Sequence, residues 1–257
     1  MLAGVLEIVA LLLVGVAAGA LNAAGGGGTF VALPALVAAG LPPVTANAST
    51  TVALLPGSVA SAWTYRRDVR PVGATSQRSL TAVSLLGGGL GAGLLLLLPA
   101  ASFDAAVPWL LAFATVVLAF GRQLSRRLTE ALGRPVGLGT RAILASQFVL
   151  AIYGGYFGGA VGILMLALWS VGLGLDTAAG NPMRVTQLAA VWSVAAVLFL
   201  LAADVLRDPF PVAAVLVGAV AGGLAGARVV RHLPARLLRG IVLGTAASMT
   251  VLYFVRA

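Results

Sequence analysis

Long apolar runs separated by short polar breaks occupy most of the 257-residue chain. Several runs reach the roughly 20 residues that an α-helix needs to cross the hydrocarbon core of a bilayer. Two runs are short and flanked by glycines, which is typical of half-helices or of the arms of re-entrant hairpins. The pattern predicts an all-α integral membrane protein with about 8–10 membrane segments. The apolar runs cover residues 2–23, 29–41, 44–63, 79–98, 105–121, 141–157, 161–174, 183–203, 211–230 and 237–255.

Composition supports lipid as the solvent and excludes several classes of function. The chain is 60% hydrophobic and 9% charged, whereas soluble domains carry about 25% charged residues. Without cysteine there is no disulfide and no thiol catalysis. Without lysine there is no GxxxxGK[ST] nucleotide loop, so ATP cannot drive this chain directly. No acid pair or histidine cluster indicates hydrolysis or metal chemistry. We therefore expect no enzyme activity, no cofactor and no metal site.

The net charge of +9 reflects sixteen arginines against seven acidic residues, and almost all of the arginines cluster in short loops between the apolar runs. Nucleic-acid binding would need a basic stripe with interleaved aromatic residues, and the sequence has none. Arginine-rich loops of membrane proteins stay in the cytoplasm. This rule places the loops 66–78, 122–141 and 228–239 inside, the loops 99–104 and 204–210 outside, and both termini outside.

The chain partly matches itself at an offset of 134 residues. Gly25 falls on Gly159 and Asn47 falls on Asn181 without a gap. The same offset carries the arginine-rich loop of the first half onto an external loop of the second. The halves are thus predicted to be repeats of opposite orientation, an arrangement typical of secondary transporters, whose substrate lies between the repeats. The predicted division is a first transmembrane repeat at 1–121, a cytoplasmic basic linker at 122–140 and a second transmembrane repeat at 141–257.

Each repeat contains a glycine break, a short apolar arm and a polar helix start. Glycines let backbone N–H groups approach a ligand, and helix N-termini supply unpaired donors and partial positive charge. Two such ends facing each other predict an anion site, whereas glycines that only allow close helix packing are the alternative. The candidate substrate-binding residues are Asn22, Gly25, Gly26, Gly27, Gly28, Thr29, Asn47, Ser49, Thr50, Tyr156, Gly158, Gly159, Asn181, Arg184 and Gln187.

Four of the polar candidates each have two interpretations. Arg184 starts a long apolar segment outside any basic loop, so it is either an oxyanion ligand or an arginine that extends to the lipid headgroups. Asn47 and Asn181 either contact the ligand or cap the helices that follow them. Glu7 is the only acid well inside an apolar run. It is our candidate for a coupling proton, and an interfacial carboxylate is the equal alternative.

The stretch GALNAAGGGGTFVALPALVAAGLPPVTANASTTVAL resembles the signature of the sulfite exporter TauE/SafE family, also called the four-toluene sulfonate uptake permease family. The later stretch YGGYFGGAVGILMLALWSVGLGLDTAAGNPMRVTQ is similar to that family's second copy, although Ala167, Leu168 and Trp169 replace its proline arm. The resemblance covers nearly the whole chain. It implies a multi-pass transporter of the bacterial inner membrane that exports sulfite or organosulfonates, driven by an ion gradient.

The leading hypothesis is an alternating-access secondary transporter of small sulfur-containing anions. A passive anion channel and a transporter of small carboxylates are the alternatives. A membrane enzyme or assembly factor would need a catalytic cluster or a partner, and the sequence offers no such cluster. The expected partners are a small anionic substrate and the lipid bilayer, with no nucleic acid. The sequence does not decide whether the chain forms a homodimer, in which direction it transports or which ion is coupled.

Overall fold

The structure is a computed structural model that describes residues 2–24, 27–132 and 135–229, together with 240, 243–244, 247–248 and 250–251. Helices joined by short turns account for most of these residues, which confirms the all-α prediction. A short 3-10 turn at Asp204–Leu206 separates the last two helices. The helices are α1 Leu2–Ala24, α2 Thr29–Ala38, α3 Pro43–Tyr65, α4 Gln77–Leu97, α5 Ala100–Leu132, α6 Thr140–Tyr156, α7 Val161–Leu173, α8 Thr177–Ala202 and α9 Pro209–Val229.

Four helices in the described part of the chain, α1, α4, α5 and α8, are long and apolar enough to cross a membrane. The two runs predicted to be short form α2 and α7, with 10 and 13 residues. Helix α3 has 23 residues but carries buried asparagine, serine and threonine side chains. Helix α5 continues to Leu132, so the boundary predicted at residue 121 lies inside it. The last predicted run, 237–255, falls mostly outside the described residues.

Helices α6–α9 and α1–α4 each have a short second helix, with lengths of 17, 13, 26 and 21 residues in the first series and 23, 10, 23 and 21 in the second. Helix α3 begins at Pro43 and α8 begins 134 residues later, at Thr177. The packing between helices is also paired. Helix α1 lies along α9, and its counterpart α6 lies along α4. Helix α3 packs on α9, and its counterpart α8 packs on α4. The fourth helix of each half therefore lies against the first helix of the other half, which interlocks the two halves.

Glycines allow the helices from different halves to approach each other closely. A Cβ atom on Gly222 of α9 would overlap the carbonyl group of Val16 in α1, and one on Gly218 would overlap that of Leu12. Small residues have this role between membrane helices in general. The two contacts advance in the same direction along both helices, so α1 and α9 run parallel.

The segment before α6 lies against the end of α7. The Val136 N–H donates to the carbonyl of Val171, and the N–H groups of Gly137 and Leu138 donate to the carbonyl of Gly172. Because α6 begins at Thr140, the end of α7 lies beside the start of α6. The two helices thus form a hairpin that returns to the side it came from. The 17 residues of α6 make the helix about 25 Å long, which is the distance from its start to the tip of the hairpin.

Two of the three arginine-rich loops lie on the same side of the molecule. Gly73, in the loop between α3 and α4, approaches the side chain of Leu173 at the end of α7. The segment 135–138, from the loop between α5 and α6, contacts that same end of α7. Both loops are predicted to be cytoplasmic, which requires them to lie on the same side, as they do here.

The return of α7 to the side where α6 begins can be tested with single cysteines, because the chain has none of its own. Thr140→Cys and Ala178→Cys place thiols at exposed positions before α6 and after α7. Both thiols should react with an impermeant maleimide from the same side of a sealed vesicle. Ala100→Cys, at the opposite end of α4 and α5, should react from the other side. Labelling of residues 140 and 178 from opposite sides would contradict the hairpin, because α6 and α7 would then together make a single crossing of the membrane.

Candidate functional site

The tip of the second hairpin, residues 157–160, turns sharply while it is buried. Gly158 has a φ of 79° and Ala160 a φ of 58°, and α7 begins at the next residue. A left-handed conformation costs a residue with a Cβ atom roughly 1–2 kcal/mol. Among the described residues Ala160 is the one non-glycine residue with a positive φ. Strain of this kind concentrates at functional sites, so the tip is a candidate site.

Unpaired backbone donors surround this tip. The first turn of a helix has N–H groups without partners inside the helix. The N–H groups of residues 159–162 are buried, and none donates a hydrogen bond to a described residue. Ala160 precedes α7 and its side chain cannot cap the helix. The start of α7 therefore presents several buried donors and the positive end of a helix dipole.

Arg184 connects this tip to the other half of the protein. Its side chain is 0% exposed. The Nε group donates to Oδ1 of Asn181 over 2.8 Å, and Nη2 donates to the carbonyl oxygen of Asn22 over 3.1 Å. A Cβ atom on Gly162 would come 2.8 Å from Nη1, so the guanidinium group lies against the first turn of α7. The alternative of an arginine extended to lipid headgroups is wrong, because the side chain is fully buried.

A matching bond joins the halves at the second tip. Nδ2 of Asn47 in α3 donates to the carbonyl oxygen of Tyr156 over 2.9 Å. Residues 22 and 156 are 134 apart, so the carbonyl groups at equivalent positions before the two tips are both bonded by side chains of the opposite half. The first tip is the break between α1 and α2, where Oδ1 of Asn22 also accepts from the Gly28 N–H over 2.9 Å.

The interpretation of Asn47 and Asn181 as helix caps is wrong. The N-cap of α3 is Pro42, and that of α8 is Asp176, whose carboxylate accepts from the N–H groups of Ala178 and Ala179. Both asparagines lie one turn further along their helices, where they contact the tip of the opposite half or Arg184.

The remaining predicted residues divide between the tips and the helix packing. Thr29 and Gly159 are buried at the tips, Ser49 is buried in α3, and Gly27 turns the first tip with a φ of 102°. Thr50 donates to the carbonyl of its own helix at Ala46. Gly25 and Gly26 lie outside the described residues.

Two predicted residues lie apart from the tips. Gln187 is held between α4 and α8, because it accepts from Ser84 over 3.0 Å and donates to Thr81 over 3.2 Å. Glu7 is exposed near the start of α1, about 22 Å along the helix from Asn22. Its role as coupling proton carrier stays a prediction.

Trp192 is a residue at the second tip that the sequence alone did not identify. Its side chain is 1% exposed, and its indole Nε1 has no hydrogen-bond partner among the described residues. A Cβ atom on Gly158 would lie 3.4 Å from that nitrogen, so the indole N–H lies at the second tip. The available signal was its position eight residues after Arg184, which is nearly the same face of α8.

Aromatic side chains close the space around the tips. A Cβ atom on Gly159 would overlap the ring of Phe157 and approach that of Phe30 from the first hairpin. A cavity of about 500 Å³ lies elsewhere, between α5, α6 and α7. Its lining is mostly apolar and includes Val117, Leu128, Val149 and Leu168. That lining offers no charged group for an anion, so the polar tips are the candidate site.

A comparison with protein families gives a match over nearly the whole chain. The model of the family described as "Sulfite exporter TauE/SafE" matches residues 11–253. The chain belongs to this family. Members of the TauE/SafE family are membrane transporters, so this TauE/SafE protein is a multi-pass membrane protein that carries a small molecule across a lipid bilayer. No curated protein and no solved structure matches the chain.

The bond from Asn47 to the second tip predicts a measurable cost in stability. Asn47→Leu leaves the buried Tyr156 carbonyl without this donor, which should cost about 1–3 kcal/mol of unfolding free energy. Thr51→Val is the matched control in the same helix, because its buried hydroxyl bonds only to the carbonyl of Asn47 in its own helix. Unfolding in detergent checks both variants. An equal loss in the two would contradict a special role for the bond between the halves.

Proposed function

We propose that this TauE/SafE protein is a secondary transporter that exports sulfite or small organosulfonates across the bacterial inner membrane. Transport proceeds by alternating access and is coupled to an ion gradient, with Glu7 as the candidate carrier of a coupling proton. The observation that carries the proposal is the buried guanidinium group of Arg184, which lies between the start of α7 and the tip of the opposite half.

Helix directions support opposite orientations of the two halves. Helices α8 and α9 are joined by residues 203–208, which reach at most about 22 Å, whereas α8 is about 39 Å long. Because α8 and α9 both pack on α3, and the linker cannot bring the chain back to the start of α8, α9 runs back along the direction of α8. Ser84 contacts Gln187 and Gly88 contacts Val191, so α4 runs parallel to α8. The counterparts α4 and α9 then run in opposite directions, as inverted repeats require.

The donors at the tips suit an oxyanion. An arginine fork binds carboxylate, sulfonate or phosphate oxygens through two hydrogen bonds, and a helix N-terminus adds N–H donors and partial positive charge. In transporters with inverted repeats the substrate lies where the repeats meet, near the bilayer midplane. A motion of one half against the other would change which side of the membrane reaches this site.

Substitution of Arg184 tests the site. Arg184→Gln should weaken sulfite binding by about 10- to 100-fold, because hydrogen bonds to a charged partner contribute about 1.5–3 kcal/mol each. Arg184→Lys should lose less of the affinity for sulfite, because lysine keeps the positive charge but lacks the two-pronged guanidinium group. The control is Arg141→Gln, at an exposed position at the start of α6. Calorimetry on the purified protein gives the affinities.

The same variants, reconstituted in vesicles, test transport itself. Sulfite flux should saturate, respond to a proton gradient and fall in parallel with affinity in Arg184→Gln. Wild-type affinity in Arg184→Gln would reject the site. Flux that neither saturates nor responds to the gradient would favour a passive channel.

A further inference from the structure

The indole group of Trp192 is a buried donor for which the described residues provide no acceptor. Leaving such a donor unpaired in an apolar interior costs about 1–3 kcal/mol. Its Nε1 lies beside Gly158, while Nη1 of Arg184 lies beside Gly162, on the first turn of α7. The indole and the guanidinium group therefore flank the N–H groups of residues 159–162, which have no acceptor among the described residues.

The first half has no equivalent of this donor. The position 134 residues before Trp192 is Ser58, whose hydroxyl donates to the carbonyl of Leu54 in its own helix over 3.1 Å. The position equivalent to Arg184 is Thr50, whose hydroxyl donates to the carbonyl of Ala46 over 2.7 Å. Both hydroxyls already have acceptors within α3. The charged donor and the indole donor are thus concentrated at the second tip, which makes the two half-sites unequal.

We propose that Trp192 is a specificity-determining residue that selects anions with three acceptor oxygens over carboxylates. This inference rests on the proposed anion site. A sulfite or sulfonate group presents oxygens in three directions, so Arg184, the N–H groups of α7 and the indole N–H can each have an acceptor. A carboxylate has its acceptor sites in one plane, so a donor that approaches from outside that plane lacks a well-directed acceptor. A site built to hydrogen-bond a group discriminates against ligands that lack it.

A pair of ligands that share a methyl group tests the proposal most directly. Methanesulfonate and acetate differ in the anionic group alone, and the wild-type chain should bind methanesulfonate more tightly. Trp192→Phe removes the indole N–H and keeps an aromatic ring. It should weaken methanesulfonate binding by about tenfold and acetate binding by less than about twofold, as expected for one hydrogen bond to a charged ligand. The ratio of the two affinities in one variant is insensitive to a general loss of active protein.

Trp169→Phe is the matched control. Trp169 is also fully buried with an unpaired indole nitrogen among the described residues, but it lies about 12 Å along α7 from the start of that helix. Its variant should keep the wild-type affinity ratio. An unchanged ratio in Trp192→Phe, with binding that still depends on Arg184, would overturn the role of Trp192 and leave the proposed function intact. A wild-type chain that binds neither anion would overturn both.

A second measurement uses the wild-type chain and does not depend on the folding of the Trp192 variant. The protein has four tryptophans, so its ¹⁵N-labelled form gives four indole N–H resonances. The variants Trp63→Phe, Trp109→Phe and Trp169→Phe assign three of them, and the remaining resonance belongs to Trp192. Methanesulfonate should shift that resonance downfield and acetate should leave it nearly unchanged. Equal shifts with both anions, or none, would contradict the proposal.

Discussion

A helix that breaks inside an apolar environment leaves carbonyl groups that water cannot reach, and each needs a donor from elsewhere in the protein. In this chain the donors come from the opposite half. Asn47 of the first half bonds the carbonyl of Tyr156, and Arg184 of the second half bonds the carbonyl of Asn22. Neither tip is complete without the other half, so the interlocked helices and the two broken hairpins depend on each other.

This dependence explains why a charged side chain is buried between the halves. The guanidinium group satisfies the Asn22 carbonyl and Asn181 with two of its nitrogens, and the third lies against the start of α7. In the proposed cycle an anion brings oxygens to the indole N–H of Trp192 and the N–H groups of residues 159–162, for which the described residues offer no acceptor. A motion of the halves would then replace some hydrogen bonds at the tips by others. With the anion bound, fewer buried donors would be left without an acceptor.

Much of the architecture follows from the apolar runs. Residues 2–23 and 161–174 predicted α1 and α7 closely, because lipid exposure forces long continuous apolar helices and glycine forces their breaks. The offset of 134 residues likewise follows from the sequence and reappears in the starts of α3 and α8. Burial of Arg184 could be expected from its distance to every basic loop. The helices, their breaks and the offset between the halves depend on the local sequence and on the length of the apolar runs.

The details of the site depend on contacts between distant residues, which no local pattern specifies. Asn47 has two interpretations from the sequence, a ligand contact or a helix cap, and neither indicates its partner, which lies 109 residues away. Trp192 does not stand out in the sequence, because its indole N–H reaches the second tip only through the approach of Gly158. Gln187 is a predicted ligand contact, and its bonds to Ser84 and Thr81 likewise join residues that are far apart in the chain.

The most direct test of the central claim is an anomalous-diffraction map of the protein soaked with selenite, a heavier analogue of sulfite. We predict a selenium peak within hydrogen-bond reach of the Arg184 guanidinium group and of the first turn of α7, between the two tips. Saturable selenite binding in solution together with a peak only at another place, such as the loop arginines, would contradict the account.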